Sequence, residues 1–189
     1  MARILVVYGT TDGHTAKVAG SLTEALRKQG VEADMVDVRD DRLGPIGYDG
    51  VIVAASLHAG GYQRSVKRWV QTHLVTLREL QTAFVSVCLG VLQHDPNVDR
   101  DLEAKIERFL ATTGWHPGER KIVAGALLYT RYNWIKRWVM RRIVRKAGGD
   151  LDTSRDYEYT DWKDLQLFAT HFLDLVHQRV SVGLALRHG

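Results

Sequence analysis

One cysteine, Cys88, stands in 189 residues. A lone thiol excludes an intrachain disulfide and fits a reducing compartment. No apolar run reaches the length of a bilayer span. The chain opens directly into a strand pattern, with no basic n-region, apolar h-region or cleavage site, so the cytoplasm is the expected compartment. Repeats and low-complexity runs are absent. The eight histidines are scattered, and none stands in an H-E-x-x-H or C-x-x-C frame, so no metal site is expected. A Ser-His-Asp arrangement cannot be assembled either. What is present is an ordinary globular mix, 45% apolar and 25% charged, of a length that suits one domain with a sizeable core. The net charge of +4 favours acidic partners: nucleic acid, anionic lipid or an anionic substrate.

Apolar runs and helical periodicities alternate along the chain. Strands are predicted at 2–8 (ARILVVY), 31–38, 51–56 (VIVAAS), 82–90 (TAFVSVCLG) and 121–129 (KIVAGALLY). Helices are predicted at 14–30, closed by Gly30, at 62–77, at 97–114, closed by Gly114, and at 161–178. Residues 39–50 read as loop. Strands and helices in this alternation imply right-handed crossovers and an α/β, doubly wound parallel sheet of five strands, covered on both faces. Ligands of such sheets sit at the carboxyl ends of the strands, near the topological switch point. Residues 130–157 break the rhythm and read as an insertion that interrupts the fifth, edge strand before a short YEYT at 157–160. The expected organisation is a single domain over 1–179 with this insertion, and a C-terminal tail at 180–189 to which no role is assigned.

The first strand–helix junction, GTTDGHT at 9–15, is rich in small polar residues. N–H groups at a helix start are unpaired and the helix dipole is positive there, so a phosphate fits. Thr10, Thr11 and Thr15 add hydroxyls, and Gly9 and Gly13 let the backbone approach closely. No Lys or Arg lies in the loop. A nucleotide P-loop is excluded, because Gly9 and Gly13 are too close and His14 stands where Lys belongs. The G-x-G-x-x-G dinucleotide fingerprint is also missing. A receiver domain would need an acceptor Asp where the chain has Ser56. The remaining alternative is a turn capped by Asp12 or Thr11, with no ligand.

Residues 6–22, VVYGTTDGHTAKVAGSL, resemble the flavodoxin signature in the aliphatic pair, Tyr8, Thr10, Gly13, Thr15, Ala19 and Leu22. The resemblance implies a flavodoxin-like fold and an FMN phosphate held by Thr10, Thr11, Asp12, Gly13, His14 and Thr15. Asp12 is an awkward charge beside a dianion, so its side chain is expected to turn away or bond locally to the backbone. A flavin ring needs a flat slot, backbone groups for its polar edge and an apolar or aromatic wall. Ser56, Leu57, His58, Gly60, Gly61 and Tyr62 of ASLHAGGYQRS could supply these. Leu89, Gly90 and Val91, in the loop after the fourth strand, would form the other wall. Taken singly, the glycines also fit plain turn geometry, and Tyr62 a helix start. Cys88 reads as a buried strand residue rather than a nucleophile.

The insertion carries RYNWIKRWVMRRIVRK at 131–146, with seven basic residues and no acid. Ile135, Trp138, Val139 and Ile143 share one helical face, while Arg137, Arg141 and Arg145 lie on another. A basic helix with Trp suits an anionic membrane surface. An acidic partner, nucleic acid or a merely solvated basic face are the other readings. AGALLYTRYNWIKRW (124–138), GGDLDTSRD (148–156), YTDWKDL (159–165) and ASLHAGGY (55–62) resemble the flavodoxin-like, menaquinone-dependent protoporphyrinogen oxidases of bacteria, and the likeness runs through nearly the whole chain. It implies an FMN enzyme that oxidises protoporphyrinogen IX and passes electrons to a membrane quinone, peripheral on the inner face of the cell membrane, with no nucleic-acid partner. Trp134, Arg137, Trp138, Arg141, Arg142 and Arg145 would then form the membrane and substrate surface. A soluble flavodoxin-type carrier that docks an acidic partner is the alternative. A flavodoxin-like adaptor without FMN is disfavoured by the intact first loop.

Overall fold

The computed structural model describes residues 1–40, 43–58, 61–93, 95–127 and 156–185. Five parallel strands, β1 (Arg3–Gly9), β2 (Glu32–Asp37), β3 (Gly50–Ser56), β4 (Gln81–Cys88) and β5 (Glu119–Ala124), lie in the order β2-β1-β3-β4-β5. The chain steps outward from β1 to β2, then returns across β1 to β3, so the switch point falls between β1 and β3. Their carboxyl ends are in register there, with Gly9 opposite Ala55.

The apolar strands fill both faces because successive side chains point opposite ways. Ile4, Val6, Ile52, Ala54 and Val85 pack under the helices α1 (His14–Lys28) and α5 (Trp162–Ala185), against Leu22, Leu26, Phe168, Phe172 and Val176. Leu5, Val7, Val51, Val53 and Phe84 face the other way. There they meet α2 (Arg64–Thr72), α3 (Leu74–Glu79) and α4 (Pro96–Thr113), through Val66, Trp69, Val70, Leu77, Ile106, Phe109 and Leu110. Gly50 is where α5 comes closest. A Cβ there would meet Val176 Cγ2 at 2.7 Å, Ile4 Cδ1 at 3.1 Å and Phe172 Cε1 at 3.2 Å.

Three features differ from the sequence expectation. The helix predicted at 62–77 is two helices, α2 and α3, joined at His73, whose ring packs 4.6 Å from that of Trp69. The last helix continues to Ala185, so residues 180–185 are helix rather than tail. It meets no proline there, and Arg179 ties it to the carbonyl of Glu79 at 3.1 Å. The third concerns the edge strand. At Gly125 the N–H still bonds Cys88 O (3.0 Å), but the carbonyl accepts from Tyr159 N–H (3.2 Å). The chain thus changes partner at one residue. Beyond it, β6 (Ala126–Leu127) pairs antiparallel with β7 (Tyr157–Glu158), instead of the edge strand resuming beside β4.

Candidate functional site

The loops leaving β1 and β3 rise side by side at the switch point. In the first, Gly13 N–H donates to Thr10 Oγ1 at 2.9 Å, and Gly13 takes φ 94°, ψ −13° at the N-cap of α1. That left-handed conformation favours glycine. Neither Asp12 nor Thr11 caps the helix: no side chain does, and no acid lies in its first turn. The capped-turn alternative is therefore not what forms. The positive end of a 15-residue helix stays open to an anion. Thr10 accepts from Gly13 and keeps its own proton to donate. Gly9 is held under the loop, where a Cβ would overlap Val66 Cγ2 and come 3.4 Å from Gln63 Oε1.

Thr15 is buried in the first turn of α1. His14 is divided between two roles. Its backbone belongs to the first turn, but its ring leaves the loop and is buried, with Nε2 2.8 Å from Thr160 Oγ1. Thr160 in turn donates to Ala124 O at 2.7 Å. His14 Nδ1 lies 3.8 Å from Glu158 Oε2. Glu158 also binds Lys17 Nζ at 3.0 Å and the Trp162 indole N–H at 3.0 Å. Burial pushes the His14 pKa down; Glu158 opposes this and Lys17 adds to it.

In the second loop, Leu57 N–H donates to Val87 O (2.9 Å), which leans the loop toward β4. His58 and Gly61 exchange two backbone bonds, at 3.2 and 2.9 Å, and Gly61 takes φ 103°. Ser56, Leu57 and His58 are half-buried at this edge. Tyr62 is half-buried just ahead of α2, as the helix-start reading has it. Its ring packs 5.1 Å from Phe84 and 4.9 Å from Phe109, and its hydroxyl shares a 2.6 Å hydrogen bond with Ser86. The phenol is thus anchored to the core beneath the loop, and burial pushes its pKa up. Beyond β4, Leu89, Gly90 and Val91 are half-buried, with Gly90 opening a 3-10 turn at Gly90–Gln93. Cys88 is buried and burial raises its pKa, which keeps it a thiol. Gly60, together with Trp134, Arg137, Trp138, Arg141, Arg142 and Arg145, lies outside the described residues.

Gln63 is a site residue that the sequence reading missed. Its Nε2 donates to Thr11 Oγ1 (3.2 Å) and to Ser56 Oγ, so one amide joins the two loops. Its Oε1 is buried with no hydrogen-bond partner. The one sequence signal is a glutamine at the N-cap of α2, a residue type seldom chosen there. An unpaired buried acceptor at this junction suits a hydroxyl-bearing ligand. Among the described residues no group of three or more His, Cys, Asp or Glu could hold a metal.

The profile of the flavodoxin domain family matches residues 5–154. A protein of Escherichia coli (strain K12) named protoporphyrinogen IX dehydrogenase (quinone) is 30% identical over 174 residues, 92% of this chain and 96% of that one. One of the same name from Leishmania major is 31% identical over 175 residues, 92% of this chain and 75% of its own. In fold, the chain is similar to oxidised flavodoxin 1 from Bacillus cereus, with TM-score 0.52 at 15% identity, covering 92% of this chain and 98% of that one. An archaeal flavodoxin gives TM-score 0.52 at 14% identity, over 94% and 98%. The flavodoxin domain carries FMN. The uncapped start of α1, the Thr10–Thr15 hydroxyls and the orphaned Gln63 carbonyl fit a phosphorylated flavin with a polyol chain. The chain belongs to the flavodoxin domain family and, within it, to the oxidoreductases named protoporphyrinogen IX dehydrogenase (quinone).

Proposed function

We propose that this chain oxidises protoporphyrinogen IX to protoporphyrin IX and delivers the electrons to a membrane quinone, in haem synthesis. The observation that carries the reading is the open, uncapped end of α1 at the β1–β3 switch point, in a chain so related to the quinone-linked enzymes. When bound, FMN supplies two-electron redox chemistry at its ring. The protein's part is to hold and orient. The first turn of α1 receives the phosphate by N–H groups and dipole. Gln63 offers its carbonyl to the polyol and ties Thr11 to Ser56. The 57–58 and 89–91 segments border the ring slot. Among the described residues no helix is long and apolar enough to cross a membrane. The seven basic residues of 131–146, with Trp134 and Trp138, are the proposed anionic-membrane contact.

The deciding experiment is anaerobic turnover of protoporphyrinogen by purified holoprotein with a menaquinone analogue. Porphyrin fluorescence should appear together with quinol. FMN that is reduced by other donors but never by porphyrinogen would replace this reading with an electron carrier that docks an acidic partner.

A further inference from the structure

Between α2 and α4 lies a groove of about 220 Å³ whose lining includes no residue of 9–15 or 89–91. Its floor is aromatic, from Tyr62 and the nearly buried Phe109. Its walls are cationic: Arg64 and Lys67 from α2, Lys105 and Arg108 from α4. Lys105 is compensated by Asp101 at 2.6 Å. Arg64, Lys67 and Arg108 have no ion-pair partner among the described residues. Glu107 on the same helix is engaged with Arg120, while Glu103 is the acid whose charge bears on Tyr62 at the groove floor, one carboxylate against the uncompensated Arg64, Lys67 and Arg108. Like charges gathered around an apolar floor repel one another unless an anion joins them. Tyr62 lines the groove and follows directly on the 57–61 loop, so an occupant would reach toward the flavin edge.

We infer that this groove binds the carboxylate-bearing edge of the substrate, an apolar tetrapyrrole rim lying on Tyr62 and Phe109 with its acid groups held by Arg64, Lys67 and Arg108. Guanidinium forks suit carboxylates, and the aromatic floor suits the rim. Small-molecule pockets usually run from roughly 300 Å³ upward, so this groove takes one edge of a macrocycle rather than the whole. The inference rests on the reaction proposed above.

The test compares native holoprotein with the variant Arg64→Gln/Lys67→Gln/Arg108→Gln, which leaves residues 131–146 untouched. Binding of protoporphyrin IX and of its dimethyl ester is followed by fluorescence, and KM for protoporphyrinogen by turnover. Native protein should prefer the diacid to the ester, and added salt should narrow the gap. The variant should keep its FMN and Tm, bind the diacid about tenfold or more weakly, and lose the preference. An unchanged diacid-to-ester ratio and KM would overturn the groove assignment while the proposed reaction stands. Loss of binding to phosphatidylglycerol vesicles at unchanged porphyrin affinity would also overturn it, by giving the groove to lipid headgroups. A native holoprotein that neither binds nor oxidises the porphyrin pair would remove both readings.

Discussion

His14, in the first turn of α1, and Thr160, just before α5, are 146 residues apart and joined by a 2.8 Å hydrogen bond. Thr160 spends its proton on Ala124 O, so the neutral imidazole must donate from Nε2. Nδ1 is left buried without a hydrogen bond, beside Glu158. The first turn of α1 is therefore stapled through Thr160, two residues past β7, to the end of β5 at Ala124.

That staple should be acid-sensitive. Burial holds the folded-state pKa of His14 below the ordinary value of ~6.5, so on acidification the unfolded chain takes the proton first. The stabilisation is present above that value and is lost as pH falls through the lowered folded one. Burial lowers His73 as well, so it contributes in the same direction. Tm should fall as the pH drops below the ordinary histidine value of about 6.5, while carboxylates are still ionised. His14→Gln, which keeps a donor toward Thr160, should flatten part of that fall, and His73 the remainder. A thermal melt series across that range checks it; identical slopes would mean that His14 does not titrate with unfolding.

Gln63→Leu separates a ligand role from a structural one. It removes the amide that joins Thr11 to Ser56, and also an acceptor with no partner in the protein. FMN affinity should drop by about 1–2 kcal/mol, roughly five- to thirtyfold, while the apoprotein Tm changes little. Titration of apoprotein with FMN measures the first and a melt the second. A large loss of Tm with unchanged affinity would reverse the assignment.

How much of this was legible in the sequence follows from the range of each interaction. The continuous apolar strands were, because a run such as Ile4–Val7 has meaning only if both faces are covered. Gly114 was, because its φ of 68° closes α4 locally. The open end of α1 was half legible: the loop composition announced an anion site, but not that the glycine rather than Thr11 or Asp12 would sit at the cap. What stayed hidden depends on distant partners. The direction of the His14 ring needs Thr160. The inward turn of Tyr62 needs Ser86, and the partner change at Gly125 needs Tyr159.

Gly50→Ala should destabilise the fold by about 1–3 kcal/mol, since the added methyl meets three apolar side chains of a closed core. Urea unfolding would register it as a lower midpoint at constant slope. FMN affinity should be unaffected, because Gly50 begins β3 and the site lies at its other end.

The basic segment is tested on membranes. Arg137→Glu, Arg141→Glu and Arg145→Glu together should release the protein from anionic vesicles, at about 1 kcal/mol for each Lys or Arg lost from the surface. Trp138→Ala should weaken the part of binding that high salt leaves. Cosedimentation with phosphatidylglycerol vesicles at low and high salt reads both. Normal binding and turnover by both variants, with FMN retained, would return the segment to a solvated basic face.

The antiparallel pairing of Leu127 with Tyr157 has an evolutionary consequence. Both ends of the excursion over 128–155 are fixed at neighbouring points, so its length is no longer coupled to the sheet. Loop-closure cost rises only about 0.6 kcal/mol for each doubling of length. Such a clamp makes the segment an interchangeable cassette. Relatives could lengthen it, shorten it or rewrite its charge without disturbing the flavin-binding frame, and adaptation to a different acceptor or membrane would be expected to accumulate there first.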